Sequence, residues 1–90
     1  LRLVGSPDGR DGSVTIHQDV RMYAGLFDTD EHAELPLVDG RLAYVHVVQG
    51  SALVNGRRVS AGDALLYSDE AAVHIEQGAG AELLVFDLPL

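Results

Sequence analysis

The chain has 90 residues, enough for one domain, and a domain of this size buries only about 60 to 65% of the surface of its unfolded chain. Its composition, 47% hydrophobic and 22% charged, is typical of a globular domain and not of a disordered one. A net charge of −8, from 6 basic and 14 acidic residues, argues against a nucleic-acid partner, and the lack of cysteine excludes disulfides and Cys-ligated zinc.

The sequence contains neither a signal-peptide pattern nor an apolar run near the length of about 18 residues that a membrane span requires. We therefore expect a soluble, cytoplasmic protein with no membrane partner. The chain begins with Leu1 and not with Met. This start predicts a piece of a longer protein, although removal of a tag or of a disordered end would look the same.

Residues 1–12 are expected to form a loop or linker that enters the domain, because Ser6 to Gly12, SPDGRDG, concentrates Pro, Gly and Asp. Asp8 and Asp11 could be taken for calcium ligands, but their spacing does not match an EF-hand loop. We interpret both residues as turn-forming aspartates.

Alternation of apolar and polar residues predicts the first two strands, Val14 to Asp19 and Arg21 to Phe27. The acidic stretch that follows, DTDEHAE, is typical of a solvated loop. In the alternative, a surface metal site, the ligands would be Glu31, His32 and Glu34.

The central stretch, Arg41 to Asp63, contains the clearest turn in the sequence. Asn55-Gly56 supplies the two positive-φ positions of a two-residue type I′ hairpin turn. Gly50 is expected to break one strand into two, and Ala61 to Asp63 is expected to form a second turn. The strands predicted here are Leu42 to Gln49, Ala52 to Val54, Arg57 to Ser60 and Ala64 to Tyr67.

Three further strands flank this stretch. Leu35 to Val38 is short and contains Pro36, which predicts an edge or irregular strand. Ala72 to Gln77 alternates, Gly78 to Gly80 predicts a turn, and Ala81 to Leu88 is a closing strand with two apolar faces. Eight or nine short strands without a helical period predict an all-β sandwich or barrel.

The glycine placement in Arg41 to Asp63 resembles that of a cupin. The opening SPDGRDGSVTIHQDVRMYAG closely resembles the start of the C-terminal cupin half of pirin-like bicupins, a family associated with quercetin 2,3-dioxygenase activity. The resemblance implies a small antiparallel jelly-roll barrel, with residues 13–90 forming a single degenerate cupin domain. It further implies that an N-terminal half outside this chain holds a divalent metal, Fe, Ni or Cu, together with the dioxygenase chemistry.

Counting residues places the two cupin metal motifs on positions that, apart from Asp39, carry no metal ligand. Taking Gly50 as the end of the first motif puts its Glu position at Ala43, and counting from Gly62 puts the His position of the second motif at Val73. The remaining His positions of the first motif fall on Pro36 or Leu37 and on Val38 or Asp39, of which only Asp39 carries a donor. We therefore predict no metal and no catalytic residue in this domain.

Strand alternation extends this prediction to neighbouring positions. With Ala43 and Val73 directed inward, His46 and His74 point outward. The predicted lumen lining is Ala43, Val45, Val47, Val73 and Ile75. The outward residues Tyr44, His46 and Val48 are the candidate interface, unless loops or the other sheet of the same domain cover them.

Two functions remain open from the sequence. In the first, the domain is non-catalytic and packs against the N-terminal cupin half of the same chain or forms a homo-oligomer. In the second, the domain binds an aromatic small molecule in its apolar lumen, or is a metal-dependent dioxygenase or isomerase in its own right. The only polar candidates for catalysis would be the rim residues Asp39, Glu70 and His32.

Overall fold

The structure, a computed structural model, describes residues 1–6, 9, 12, 14–15, 20–28, 31–38, 40–68 and 70–89. Its eight strands join into one hydrogen-bonded sheet, and every pairing is antiparallel except the two-residue contact between the first two strands. The strands are β1 (Arg2–Ser6), β2 (Val14–Thr15), β3 (Arg21–Phe27), β4 (Ala33–Pro36), β5 (Arg41–Val54), β6 (Arg57–Ser60), β7 (Ala64–Ser68) and β8 (Ala72–Pro89). The all-β, antiparallel prediction is confirmed, and the described part of the chain has no helix that could cross a bilayer.

Two long strands, β5 with 14 residues and β8 with 18, run through the whole domain and pair with each other from Arg41↔Pro89 to Val54↔Ile75. The start of β5 and the end of β8 lie beside β3 and β7, and this part is called the large sheet. The end of β5 and the start of β8 lie beside β6 and β4, and this part is called the small sheet. Side chains from both sheets meet in the core between them.

Both long strands bend at the same level, where Gly50 and Gly80 have φ angles of 72° and 55°. A Cβ atom on Gly50 would collide with the carbonyl oxygens of Ala79 and Gly80, so only glycine permits this approach of the two backbones. The register between the strands shifts three times in all around the bend, between Val47 and Leu53 of β5. The Asp28 carboxylate accepts a hydrogen bond from the Gly80 N–H at 3.1 Å and holds the bend in place.

The structure shows that two of the predicted interruptions of strands are wrong. Gly50 does not end a strand, and Gly78 to Gly80 does not form a turn, because both segments stay paired with a neighbouring strand while they change direction. A positive φ at an isolated glycine serves a bulge as well as it serves a turn, so the residue type alone does not distinguish the two.

The beginning of the chain also differs from the prediction. Residues 1–12 were expected to be loop, but Arg2–Ser6 form β1, whose backbone pairs with β3 from Arg2↔Ala24 to Gly5↔Met22. Ser6 is fully buried, at 0% exposure. Pairing with β3 satisfies the backbone hydrogen bonds of this segment, which the pattern of side chains does not reveal. Asp8 and Asp11 lie outside the described residues.

Three shorter predictions can be compared with the structure. The strand expected at Leu35 to Val38 begins earlier and ends at Pro36, as Ala33–Pro36, and it pairs with β8. Pro36 does not interrupt this pairing, because the Leu37 N–H still donates to the Ala71 carbonyl at 2.9 Å. The hairpin at Asn55-Gly56 is confirmed, with φ angles of 48° and 79° and the closing pair Val54↔Arg57. Of the strand expected at Val14 to Asp19, the described residues include only Val14–Thr15.

We expect Gly50→Ala to destabilise the domain by about 3 kcal/mol or more, because it adds a steric collision to the cost of about 1–2 kcal/mol for a Cβ in the left-handed region. Gly56→Ala is the matched control, since Gly56 has a φ of 79° but no atom within 4 Å of a built Cβ. Urea denaturation followed by far-ultraviolet circular dichroism measures both variants. Equal losses of stability in the two variants would show that the close approach of β5 and β8 does not require glycine at position 50.

Candidate docking surface

The five predicted lumen residues all lie in the buried cluster between the two sheets, and none is more than 1% exposed. They are Ala43, Val45, Val47, Val73 and Ile75. Their side chains are hydrocarbon, so they offer no acid, base, nucleophile or metal ligand. These residues stabilise the fold by burial, and chemistry in this domain would have to use other groups.

The polar candidates do not converge on one site. The side chain of His74 is 58% exposed and lies 3.6 Å, from Nε2 to Oε1, from Glu34 on the outer surface of the small sheet. Glu31, His32 and Glu70 are exposed, and Asp39 lies outside the described residues. Within the described ranges, no three His, Asp or Glu side chains are close enough to hold a metal ion.

One polar group inside the domain was missed from the sequence. Asp87 continues the inward alternation of β8 after Val85 and is only 8% exposed. Its carboxylate accepts a 2.7 Å hydrogen bond from Nε of Arg41, whose Nη2 also donates to the Asp87 carbonyl at 3.0 Å. Arg21 Nη1 lies 3.9 Å from the same carboxylate. Paired arginines compensate the buried charge, so Asp87 is a structural group and not a free general base.

Tyr67 connects the two sheets across the core. It projects from β7 of the large sheet, and its hydroxyl donates a 3.3 Å hydrogen bond to the carbonyl of Val54 in the small sheet. Burial raises the pKa of the Tyr67 hydroxyl above its ordinary value, and the nearby Arg57 opposes this shift in part while Glu70 adds to it.

The outer surface of the large sheet, here called the apolar face, has an unusual composition. The pairs Met22↔Phe86, Phe86↔Tyr44 and Tyr44↔Leu66 form one apolar row across four strands, and the Tyr44 and Phe86 rings lie 6.1 Å apart between centroids. Parallel to it, Ala24, Leu84, His46 and Ala64 form a second row. The outward residues of the face are Met22, Ala24, Leu26, Leu42, Tyr44, His46, Val48, Ala64, Leu66, Ser68, Glu82, Leu84, Phe86 and Leu88.

Several residues of the apolar face are exposed to solvent, namely Leu26 (73%), Leu66 (63%), Val48 (44%) and Tyr44 (38%). Loops or the other sheet of the domain therefore do not cover them. Of the predicted interface residues, Tyr44 and Val48 are exposed and His46 is half-buried between Leu84 and Ala64. The sequence reasoning missed Leu26 and Leu66, although the alternation in ALLYS, once paired with β5, would have directed Leu66 outward.

The outer surface of the small sheet provides an internal comparison. Its outward positions carry mainly polar and charged side chains, namely Glu34, Ser51, Arg58, Ser60, His74 and Glu76, with Pro36 and Leu53 as apolar exceptions. One domain therefore has one outer surface suited to water and one that is largely hydrocarbon. A contiguous apolar patch of this kind marks an interaction surface more often than a solvated one.

Comparison with known proteins finds a family profile and related sequences that match nearly the whole chain. A sequence profile of the quercetinase C-terminal cupin domain matches residues 3–88. The quercetin 2,3-dioxygenase of Escherichia coli (strain K12) is 39% identical over 88 residues, which are 98% of this chain and 38% of that protein. The chain thus spans well under half of the length of this relative.

Solved structures agree with this match. The crystal structure of the bacterial pirin YhhW from E. coli in complex with nickel(II) has a TM-score of 0.92, with 39% identity over 98% of this chain and 38% of that one. The structure of YhaK from E. coli has a TM-score of 0.85, with 29% identity over 99% of this chain and 41% of that one. The predicted jelly-roll cupin fold is confirmed.

Because the pKa of Tyr67 is raised, the free energy of unfolding is expected to depend on pH in the alkaline range. The unfolded chain loses the tyrosine proton first, so this contribution is complete below the ordinary tyrosine pKa of about 10 and is lost as the pH rises through the folded-state pKa. All six basic residues of the chain are Arg, so no lysine titrates in this range. We expect Tyr67→Phe to reduce the loss of stability above about pH 10.

Urea midpoints measured on both sides of this pH test the prediction. Tyr44→Phe, at an exposed position, controls for the removal of a tyrosine. An alkaline loss of stability that is the same in Tyr67→Phe and in the unsubstituted chain would contradict it.

Proposed function

Because the chain belongs to the quercetinase C-terminal cupin family, we propose that it is the non-catalytic half of a two-cupin protein and that it docks on an N-terminal cupin half through the apolar face. The observation that carries this proposal is the exposure of Leu26, Tyr44, Val48 and Leu66 on one sheet surface. The length of the E. coli relative, of which the match covers 38%, leaves room for a further cupin domain.

Docking needs most of the apolar face. Covering one exposed Leu or Phe side chain contributes about 1.5–3 kcal/mol, whereas association of the two halves as separate polypeptides costs about 4–15 kcal/mol in lost translational and rotational freedom. A single leucine such as Leu66 could not offset that cost. The two rows that contain Tyr44 and His46 together supply enough apolar contact to do so.

The proposal assigns the metal, Fe, Ni or Cu, and the quercetin 2,3-dioxygenase type of chemistry to the N-terminal half. A catalytic divalent cation needs three or more donor atoms that converge within about 2.0–2.6 Å. The described residues of this chain do not fit such an ion, because the inward positions at the motif sites are Ala43 and Val73. The nickel(II) complex of the E. coli pirin is consistent with a metal elsewhere in the longer proteins.

The alternatives have weaker support. An aromatic ligand in the lumen would have to displace side chains that are at most 1% exposed and in contact with one another. A homo-oligomer built on the apolar face would bring together two chains that each carry a net charge of −8. We place the protein in the cytoplasm, a compartment compatible with a chain that lacks cysteine.

We expect the 90-residue chain to bind the polypeptide encoded upstream of Leu1 in the same reading frame, in a one-to-one complex measurable by isothermal titration calorimetry. Leu66→Asp should weaken this binding at least about tenfold, because it puts a carboxylate into an apolar contact. Val38→Asp is the matched control, since Val38 is 76% exposed but lies outside the apolar face.

Two results would contradict the docking proposal. One is an upstream reading frame that encodes no cupin domain. The other is a well-folded chain that stays monomeric in sedimentation equilibrium and shows no affinity for the upstream half. Self-association that Leu66→Asp abolishes would replace the N-terminal half by a second copy as the occupant of the face.

Metal analysis tests the assignment of the chemistry. We expect the purified 90-residue chain to retain much less than one equivalent of iron, nickel or copper after dialysis, and the upstream half to retain a stoichiometric amount. Plasma mass spectrometry measures both polypeptides after the same treatment. A stoichiometric transition metal retained by this chain alone would favour an enzyme in its own right.

A further inference from the structure

Among the described residues, the apolar face carries one carboxylate, that of Glu82. This side chain is half-buried on β8, next to Leu84 on the outer surface and opposite Leu26 of β3 and Gln49 of β5. No described residue forms a hydrogen bond or an ion pair with the Glu82 carboxylate. An unpaired charge on a surface of hydrocarbon is a feature that the fold itself does not require.

Glu82 lies at the wall of a groove of about 470 Å³ along β1 and β3. The groove is lined by Leu1, Arg2, Val4, Ala24, Gly25, Leu26 and Glu82. Its walls are therefore mostly apolar, with one carboxylate and one guanidinium at the margin. This combination suits a side chain that has a long hydrocarbon stem and a charged end.

The charge at the end of the partner side chain is expected to be positive, because it would lie against the Glu82 carboxylate. Water now solvates the Glu82 carboxylate, and a partner that covers the apolar face would remove this water. Burial of an unpaired carboxylate costs several kcal/mol, which would cancel the gain from covering two or three leucines. A partner cation placed on Glu82 avoids the cost and adds a charge-assisted hydrogen bond.

On the premise of the proposed function, we infer that the N-terminal cupin half inserts a Lys or Arg side chain into this groove. The ammonium or guanidinium group would pair with Glu82, and the hydrocarbon stem would lie along Ala24 and Leu26. The inferred pair fixes where on the apolar face the partner sits, which a uniform apolar surface would not do.

The cation is not expected to come from this chain. Arg21 and Arg41 already flank Asp87, and Arg58 donates to the Gln77 carbonyl at 3.3 Å. Arg2 lines the same groove, but it is exposed and forms no ion pair with Glu82 among the described residues. A second copy of the chain would bring its own Arg2 to this edge against the repulsion of two net charges of −8.

The test is calorimetric binding of the chain to the polypeptide encoded upstream of Leu1, at low and at physiological salt. We expect Glu82→Gln to weaken binding at least tenfold and to reduce the salt dependence, because it removes the charge and keeps the shape. The urea midpoint of Glu82→Gln alone should equal that of the unsubstituted chain. Glu76→Gln is the matched control, since it makes the same change on the same strand but on the outer surface of the small sheet.

The outcomes separate this inference from the proposed function. Binding by Glu82→Gln that equals the unsubstituted chain at both salt concentrations, together with loss of binding in Leu66→Asp, would overturn the cation and leave the docking surface in place. Failure of the unsubstituted chain to bind would instead overturn the docking itself. Loss of binding in Arg2→Gln, matching the loss in Glu82→Gln, would identify Arg2 as the partner of Glu82 and would also overturn the inference.

Discussion

The fold depends on the close approach of two paired backbones at Gly50 and Gly80. At this level β5 and β8 approach too closely for any side chain at position 50, and both strands bend while they stay paired. One hydrogen-bonded ladder can therefore serve two sheets that face each other across a core. Without the bend, the 14 and 18 residues of these strands would extend as a flat ribbon with no interior.

The polarity of the outward residues of β8 differs on the two sides of the bend. Before the bend, β8 directs His74 and Glu76 outward beside the charged residues of the small sheet. After the bend, the same strand directs Leu84 and Phe86 outward beside Tyr44 and Met22. The alternation along the strand is interrupted between residues 76 and 80 and resumes at Ala81, and the chemistry of the outward positions changes from polar to apolar across this interval. A single strand therefore carries one solvated segment and one segment suited to a partner.

Local patterns in the sequence were sufficient for much of the fold. The pair Asn55-Gly56 predicted its hairpin because both positions need positive φ, and the period of two in 42–48 separated inward from outward residues. The loop prediction at Arg2 to Ser6 and the turn prediction at Gly78 to Gly80 were wrong because β1 and the bend depend on pairing with strands distant in sequence. The Asp87 cluster was missed for the same reason, since Arg41 is 46 residues away along the chain.

The interior and the apolar face have opposite consequences for a domain this small. Hydrocarbon at Ala43 and Val73, where the cupin motifs would have ligands, enlarges a core that 90 residues can barely supply. Hydrocarbon on the outside adds less to the stability of the isolated domain than hydrocarbon in the core, because water remains in contact with it. The apolar face therefore contributes its full burial energy only when a partner covers it. This asymmetry, together with a Glu82 carboxylate that has no partner among the described residues, supports the proposed docking role of the apolar face.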